Sequence, residues 1–158
     1  MIIVSACLLG LNTKYDGTSN AHALIRKYSS WEKFIPVCPE QLGGLPTPRV
    51  PVEIINGTGQ VVLAGRCAVQ GEQGEVVTPQ FIQGAKEVLE IVRMFKVTAA
   101  ILKERSPSCG VNHIYDGSFT HREKSGQGVT AALLREHHIL VYSEEDLDEE
   151  KLLELLKS

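Results

Sequence analysis

Short apolar runs alternate with segments of helical periodicity along this chain, and this alternation restricts the fold more than any other feature of the sequence. The runs Ile2–Val4, Ala99–Leu102 and His138–Tyr142 are rich in aliphatic residues, as strands buried on both faces are. Between the first two, Thr78 and Pro79 supply a cap and a first-turn proline for a helix whose apolar residues recur with helical spacing as far as Phe95. Strands separated by helices pair in parallel through crossover connections.

The sequence therefore predicts an α/β fold, with a three-layer arrangement, a mostly parallel sheet and helices on both faces. Phe34–Val37 is predicted to be a further strand, and its proline favours an edge position or a strand start. Asn56-Gly57 is a strong turn signal between two apolar runs, so a small inserted hairpin is expected within Val50–Ala64.

Three further helices complete the prediction. Asn20–Ser29 and Gly128–Glu136 have helical patterns, and Ser143–Asp146 is expected to cap an amphipathic C-terminal helix. The chain has 158 residues, without a linker or an internal repeat, which suits a single domain over residues 1–158.

Charge and hydropathy exclude several classes of function. The net charge is -3 and no basic run occurs, so the sequence does not predict a surface that binds a nucleic acid polymer. The apolar N-terminus lacks the cationic start of a signal peptide, and no apolar stretch reaches the ~18 residues of a membrane span. A cytoplasmic protein that does not bind membranes is expected.

Three of the four cysteines occupy equivalent places in the predicted fold. Cys7, Cys38 and Cys109 each lie shortly after a predicted parallel strand, whereas Cys67 follows the hairpin and is expected to be a structural or exposed thiol. The carboxyl ends of parallel strands share one edge of a sheet, where ligands bind. We therefore expect these three thiols to meet in space. No CxxC pair occurs, which disfavours a zinc ribbon.

Three thiolates in one place would suit a soft metal centre. Sulfur ligands favour iron–sulfur clusters, zinc or copper(I), and three protein ligands on a tetrahedral centre leave one position open. Iron–sulfur clusters usually take four cysteines, so three would leave one iron free to bind a substrate atom. The residues alone leave open a second interpretation, in which the thiols are simply buried small hydrophobic groups.

Side chains near these cysteines are candidates for chemistry. Cys38 begins the stretch "CPEQLGGLPTPR", which its prolines and glycines predict to be a rigid irregular loop, and Glu40 in it is a candidate acid or base. In the loop of Cys109, Ser106 and Ser108 could donate hydrogen bonds or cap a turn, and Lys103 and Arg105 could supply charge or be solvated cations. Tyr15 and Asp16 could line a pocket or form an Asp-Gly turn.

Six ordered segments resemble the bacterial domain-of-unknown-function family 523, which includes a thiouracil desulfidase. They are "VSACLLG…KYDG", "VCPEQLGGLPTPR…VEI", "VTPQFIQGA", "AILKERSPSCG", "IYDGSFT" and "GQGVTAALL", and the resemblance runs from Met1 to about Glu145. It implies an enzyme with a [4Fe-4S] cluster held by Cys7, Cys38 and Cys109, which removes sulfur from a small thiolated heterocycle such as 2-thiouracil. The family's catalytic glutamate and serine fall on Glu40 and Ser106.

The chain departs from the family pattern at one position. Many relatives have a cysteine where this chain has Thr13, although a three-cysteine site does not need it.

The sequence leaves two alternative functions open. A non-enzymatic iron–sulfur or zinc protein could act as a sulfur carrier or sensor. A thiol hydrolase would need one nucleophilic cysteine with a histidine partner, and His113 is the histidine closest in sequence to a site thiol.

Overall fold

The computed structural model describes residues 1–158. Its strands are β1 (Ile2–Ser5), β2 (Phe34–Val37), β3 (Val52–Ile54), β4 (Val69–Gly71), β5 (Ala99–Leu102), β6 (His113–Tyr115), β7 (Glu123–Ser125) and β8 (Leu140–Ser143). Its helices are α1 (Ala23–Lys27), α2 (Pro39–Leu42), α3 (Gly59–Leu63), α4 (Thr78–Phe95), α5 (Val129–Glu136) and α6 (Glu149–Lys157). No helix is both long and apolar enough to span a bilayer.

A four-stranded parallel sheet in the order β2-β1-β5-β8 lies at the centre of the molecule. The two inner strands are wholly buried, as their aliphatic sequences predict. The proline-containing strand β2 is an edge strand, which confirms one of the two positions expected for it. Pro36 there pairs with Val4 on its inner side, and an edge strand can tolerate the missing N–H of a proline.

Helices cover both faces of the sheet and complete the three layers. On one face, apolar residues of α4 and α5 pack against Ile3, Ala100 and Leu102. On the other, residues of α1 and α6 pack against Ile2, Val4 and Ile101. Alternate residues of β1 thus point to opposite cores, as the period of a strand requires. The predicted three-layer α/β architecture is confirmed.

The predicted hairpin is present, but its second strand was misplaced. β3 pairs with β4, antiparallel, whereas the apolar run just after Asn56-Gly57 forms the short helix α3. Val62 in this run is buried beside Phe81 of α4, and the helical conformation turns its side chain towards the core. A second antiparallel pair, β6 with β7, was not predicted because its strands are short and largely polar.

Other element boundaries also needed correction. The stretch after Cys38 is not irregular throughout, because its proline starts the helical turn α2 at the position where a missing N–H is harmless. Thr78 is the first residue of α4 rather than its cap, and its hydroxyl accepts a hydrogen bond from Val69 N at 2.9 Å. Ser143 caps a 3₁₀ turn, and Asp148 caps the C-terminal helix instead.

Two glycines let α2 lie directly against α4. A Cβ atom placed on Gly84 would lie 1.9 Å from Pro39 O, and one on Gly43 would lie 2.0 Å from Gln80 O. Both clashes are with backbone, which cannot rotate away as a side chain can. This close approach fixes the segment that follows β2, and with it Cys38 and Glu40.

We predict that Gly84→Ala lowers the free energy of unfolding by about 1–3 kcal/mol, as overpacking does. Alanine improves helix propensity by about 1 kcal/mol over glycine, but the backbone clash outweighs this gain. Denaturant unfolding measures the difference. The control Gln83→Ala, on the exposed side of the same helix, should change stability little. An unfolding midpoint for Gly84→Ala at or above that of the unmodified protein would contradict the prediction.

Candidate functional site

The site lies where the order of the strands reverses. From β1 the chain crosses to β2 on one side, and β5 lies on the other side of β1. The loops that leave β1 and β5 therefore diverge and open a crevice at the carboxyl edge of the sheet, which is where α/β proteins bind ligands. A cavity of about 460 Å³ occupies this position. The segments after β1, β2 and β5 line it, together with parts of the β3 and β6–β7 ribbons.

Cys7, Cys38 and Cys109 all line this cavity. Cys7 lies in a 3₁₀ turn directly after β1, Cys38 follows β2 without an intervening residue, and Cys109 lies in the loop after β5. The three sequence-distant thiols thus share one cavity. Cys67 lies elsewhere, with its sulfur near Gly57 and 3.9 Å from Thr58 O, so it is a structural thiol.

The three thiols interact electrostatically and are held as neutral groups by their surroundings. Burial raises the pKa of Cys7 and of Cys38, and it raises the pKa of Cys109 to about 12. Smaller contributions in the same direction come from Cys38 on Cys7 and from Cys7 on Cys109. A metal centre bound here would have to displace these protons, since only thiolates ligate.

Glu104 fixes the conformation of the loop that carries Cys109 through hydrogen bonds to its backbone. One of its carboxylate oxygens accepts backbone N–H bonds from Val111, Asn112 and His113 at 2.8, 2.9 and 3.0 Å. Burial alone would raise the pKa of Glu104, but these hydrogen bonds outweigh burial and lower the pKa to about 2. The side chain is 2% exposed. Sequence reasoning missed this residue, because a glutamate at the end of a strand has no distinguishing pattern.

The N-terminus of α5 fixes the same loop from the other side. Val129 N donates to Pro107 O at 3.0 Å, and Thr130 N donates to Ser108 O at 2.8 Å. Gly128 permits this approach, since a Cβ atom there would lie 2.5 Å from the carbonyl carbon of Ser108. The amide groups that a helix leaves unpaired at its start therefore satisfy the loop's carbonyl oxygens. Cys109 is consequently held on a rigid backbone.

Glu40 receives a hydrogen bond on each oxygen. Arg49 Nε donates to Oε1 at 3.3 Å, and Ser108 Oγ donates to Oε2 at 3.0 Å. Ser108 Oγ lies 3.0 Å from Ser106 Oγ, which itself accepts from the backbone N–H groups of Ser108 and Cys109. Because those two bonds use the oxygen of Ser106, its hydrogen is free for Ser108. A hydroxyl chain thus connects Ser106 on the cavity wall to Glu40.

Arg49 is a second residue that sequence reasoning missed. Its side chain is only 6% exposed and, besides Glu40, it donates from Nη2 to Thr13 O at 2.8 Å, while the same nitrogen lies 3.9 Å from Cys38 Sγ. It therefore joins the segments after β1 and β2. A planar guanidinium with several donors suits this role better than a lysine would. Thr13 also lies on the cavity wall.

The remaining predicted site residues divide into two groups. Tyr15 and Lys103 line the cavity, and Lys103 Nζ pairs with Glu144 at 2.8 Å. Asp16 does not line it, because its carboxylate accepts from Thr18 N at 3.0 Å within a turn. Ser108 also lies behind the wall, 1% exposed and bonded to Glu40. Further wall residues are Asn20, Glu53, Tyr115 and His121, of which Glu53 and Tyr115 lie within two of the family motifs.

The structure places the histidines differently from the sequence-based expectation for a thiol hydrolase. His113, the histidine nearest to Cys109 in sequence, is exposed on β6 and does not line the cavity, whereas His121 does. No group of three histidine, cysteine, aspartate or glutamate side chains has the arrangement needed to hold a single metal ion. All three thiols nevertheless line one cavity of about 460 Å³.

Comparisons with known proteins agree with this geometry. The family model described as 2-thiouracil desulfurase matches residues 2–146. An uncharacterized protein of Bacillus subtilis (strain 168), YbbK, is 44% identical over 149 residues, which cover 94% of this chain and 99% of that protein. The solved structure of TudS, described as a [4Fe-4S]-dependent thiouracil desulfidase, has a TM-score of 0.84 and 41% identity, with 98% of this chain and 97% of that chain covered.

The fold and the site define a three-layer α/β protein with three cysteines around a cavity at the carboxyl edge of its sheet. Within that class, the chain belongs to the 2-thiouracil desulfurase family, the same family as domain of unknown function 523. The resemblance found in its sequence motifs is confirmed over nearly the whole chain.

We predict that Glu104→Gln removes a pH-dependent part of the stability. The folded pKa of Glu104 lies below its ordinary value, so its contribution is complete above about pH 4.5 and is lost as the pH falls towards 2. A shift from 4.5 to about 2 corresponds to roughly 3 kcal/mol. Denaturant unfolding of the metal-free protein from pH 2 to 7 measures it.

In that series the Glu104→Gln variant should be less stable at pH 7, and its stability should fall less between pH 4.5 and 2. The exposed residue Glu72 offers a matched control, since Glu72→Gln should follow the curve of the unmodified protein. Parallel curves for Glu104→Gln and the unmodified protein would show that the carboxylate does not anchor the loop.

Proposed function

We propose that this chain is a desulfidase that removes sulfur from a small thiolated heterocycle such as 2-thiouracil. In this proposal Cys7, Cys38 and Cys109 hold a [4Fe-4S] cluster, Glu40 is the acid or base, and Ser106 contacts the substrate. The observation that carries the proposal is that three thiols and the Glu40 carboxyl line one cavity at the switch point of the sheet. TudS, with which the chain shares its fold, is described as such an enzyme.

The residues around the cavity fit an iron–sulfur cluster. The donors are three soft thiols that line one cavity of about 460 Å³, and no group of side chains is arranged for a single metal ion. Arg49 and Lys103 stand beside this donor set and can offset part of its negative charge. When bound, the cluster would supply a soft Lewis acid that attracts a thione sulfur.

Side chains of the protein would then orient the attacking water and transfer protons. The overall reaction replaces C=S with C=O: water supplies the oxygen, a C–O bond forms, the C–S bond breaks, and hydrogen sulfide leaves with two protons. No electrons are exchanged, so no oxidant or reductant is required. Glu40 can accept a proton from the attacking water and return it to the departing sulfur.

Arg49 and Ser108 hold the carboxyl of Glu40 for this task. Their hydrogen bonds, at 3.3 and 3.0 Å, fix both oxygens and therefore the orientation of the group. Ser106 connects to Glu40 through Ser108 and reaches the cavity wall, so it can orient the substrate or the attacking water. Ser108 itself acts as a positioning residue, because it is buried away from the cavity.

The cluster site is tested by anaerobic reconstitution with iron and sulfide. We expect about four irons per chain and a broad visible absorption band, as a [4Fe-4S] cluster gives. Each of the variants Cys7→Ala, Cys38→Ala and Cys109→Ala should lose most of both signals, because three ligands hold the cluster. Cys67→Ala is the matched control and should retain them, since Cys67 lies outside the cavity.

The effects of these cysteine variants on activity and metal content distinguish the desulfidase from the alternative functions. A thiol hydrolase would lose activity with one cysteine and tolerate replacement of the others. A zinc protein would bind about one zinc and no iron after the same treatment. An intact cluster without turnover of any thio-heterocycle would favour a sulfur carrier or sensor over the desulfidase.

We predict that Glu40→Gln lowers kcat for 2-thiouracil by about 10²–10⁴-fold, because the variant cannot take up the proton. Its iron content should remain that of the unmodified protein, since the glutamine oxygen can still accept from Arg49 while its NH₂ group donates to Ser108 Oγ. Sulfide release under anaerobic conditions measures the rate. Full activity in Glu40→Gln would exclude Glu40 as the acid or base, whereas loss of iron would assign it a structural role.

A further inference from the structure

Glu53 is a carboxyl group in the cavity wall that the proposed chemistry does not use. It lies at the middle of β3, on the ribbon outside the parallel sheet, and it is 9% exposed. Its side chain lines the same cavity as the three cysteines. A glutamate is rarely buried to this extent unless it is paired.

Only one oxygen of Glu53 has protein partners. Oε1 accepts backbone N–H bonds from Gly117 at 2.9 Å and Phe119 at 3.3 Å. Oε2 accepts no hydrogen bond from the protein, and no lysine, arginine or histidine forms an ion pair with Glu53. Because the side chain is nine-tenths buried and lines the cavity, its free oxygen faces the space that a ligand would fill.

The bonds to Gly117 and Phe119 do not explain why this residue is a glutamate. They tie the turn between β6 and β7 to β3, and Gly117 itself lies so close that a Cβ atom would be 2.8 Å from Ile54 O. A glutamine could accept the same two bonds, but its NH₂ group would then offer a donor where Glu53 offers a second acceptor. That acceptor is open to the cavity rather than sealed in the core, so an N–H group of a ligand can take the place of water on it.

The neighbouring wall suits a flat ring. Tyr115 and His121, which flank the turn that Glu53 anchors, both line the cavity. Their rings pack edge to face, with centroids 5.7 Å apart and an angle of 82°. Aromatic side chains favour contact with other planar groups. Glu53 therefore presents a hydrogen-bond acceptor beside an aromatic surface.

We propose that Glu53 Oε2 accepts a hydrogen bond from a ring N–H next to the C=S group of the substrate and so determines specificity. This inference rests on the proposed desulfidase function and deepens it. In 2-thiouracil an N–H group lies on each side of the thione carbon. An acceptor at one of them binds the thione tautomer, which carries the C=S bond, and rejects a thiol tautomer that has lost that particular N–H. It also excludes heterocycles alkylated at that nitrogen.

The test combines one variant with one change in the substrate. Glu53→Gln keeps an oxygen for Gly117 N and Phe119 N, so its NH₂ group must face the cavity, where it offers a donor instead of an acceptor. We expect KM for 2-thiouracil to rise about 10–100-fold, as for loss of a hydrogen bond to a charged group, with a smaller change in kcat. Glu72→Gln, on an exposed turn, is the matched control.

Methylated substrates identify the donor. With the unmodified enzyme, one of N1-methyl- and N3-methyl-2-thiouracil should have a similarly raised KM, because methylation removes the N–H. With Glu53→Gln that derivative should bind no worse than 2-thiouracil itself, since the two changes remove the same contact and their effects do not add. Iron content and melting temperature should match the unmodified protein, which a purely structural role would not allow.

Several outcomes would overturn the inference. An unchanged KM in Glu53→Gln, or a methylation penalty that persists in full in the variant, would show that Glu53 does not contact the ring, while the desulfidase proposal would stand. If the unmodified protein turns over no thio-heterocycle, calorimetric titration of both proteins with 2-thiouracil still tests whether Glu53 contacts the ring. Weaker binding to the variant would support Glu53 and contradict the desulfidase, and no binding to either protein would contradict both.

Discussion

The parallel sheet is the constraint on which the site depends. Parallel strands place all their carboxyl ends at one edge, and the reversal between β1 and β5 opens a crevice there. Cys7, Cys38 and Cys109 follow three adjacent strands, so the topology alone brings them to this crevice. Burial, nearly complete for Cys109 and partial for Cys7 and Cys38, raises the pKa of all three thiols.

Each cysteine segment is fixed by a different interaction, and none of these is a metal bond. Glycine contacts hold the segment of Cys38 against α4, while the Glu104 carboxylate and the N-terminus of α5 hold the loop of Cys109. Arg49 joins the segment after β2 to that after β1 through Thr13 O. Such independent anchors give a site whose ligands are positioned before anything binds, which reduces the entropy lost on binding.

The polar wall of the cavity has two parts that differ in their hydrogen bonding. Near the thiols, Glu40 is fully bonded through Arg49 and Ser108, which suits a group that must keep its orientation while a proton moves. On the ribbon side, Glu53 keeps one oxygen without a protein partner, which suits a group that meets the ligand. The two glutamates differ only in what surrounds them, and those surroundings come from elements far apart in the chain.

The sequence by itself determined the alternation of strands and helices, the burial of the inner strands and the meeting of three cysteines, because these follow from local hydrophobic patterns and strand direction. It also carried the family motifs. It misplaced the second strand of the hairpin, and it did not reveal Glu104, Arg49 or Glu53. Those roles come from hydrogen bonds between residues distant in the chain, or to a loop's own backbone. Only the tertiary structure decides which glutamate keeps an oxygen without a protein partner, since local sequence patterns do not encode contacts between distant elements.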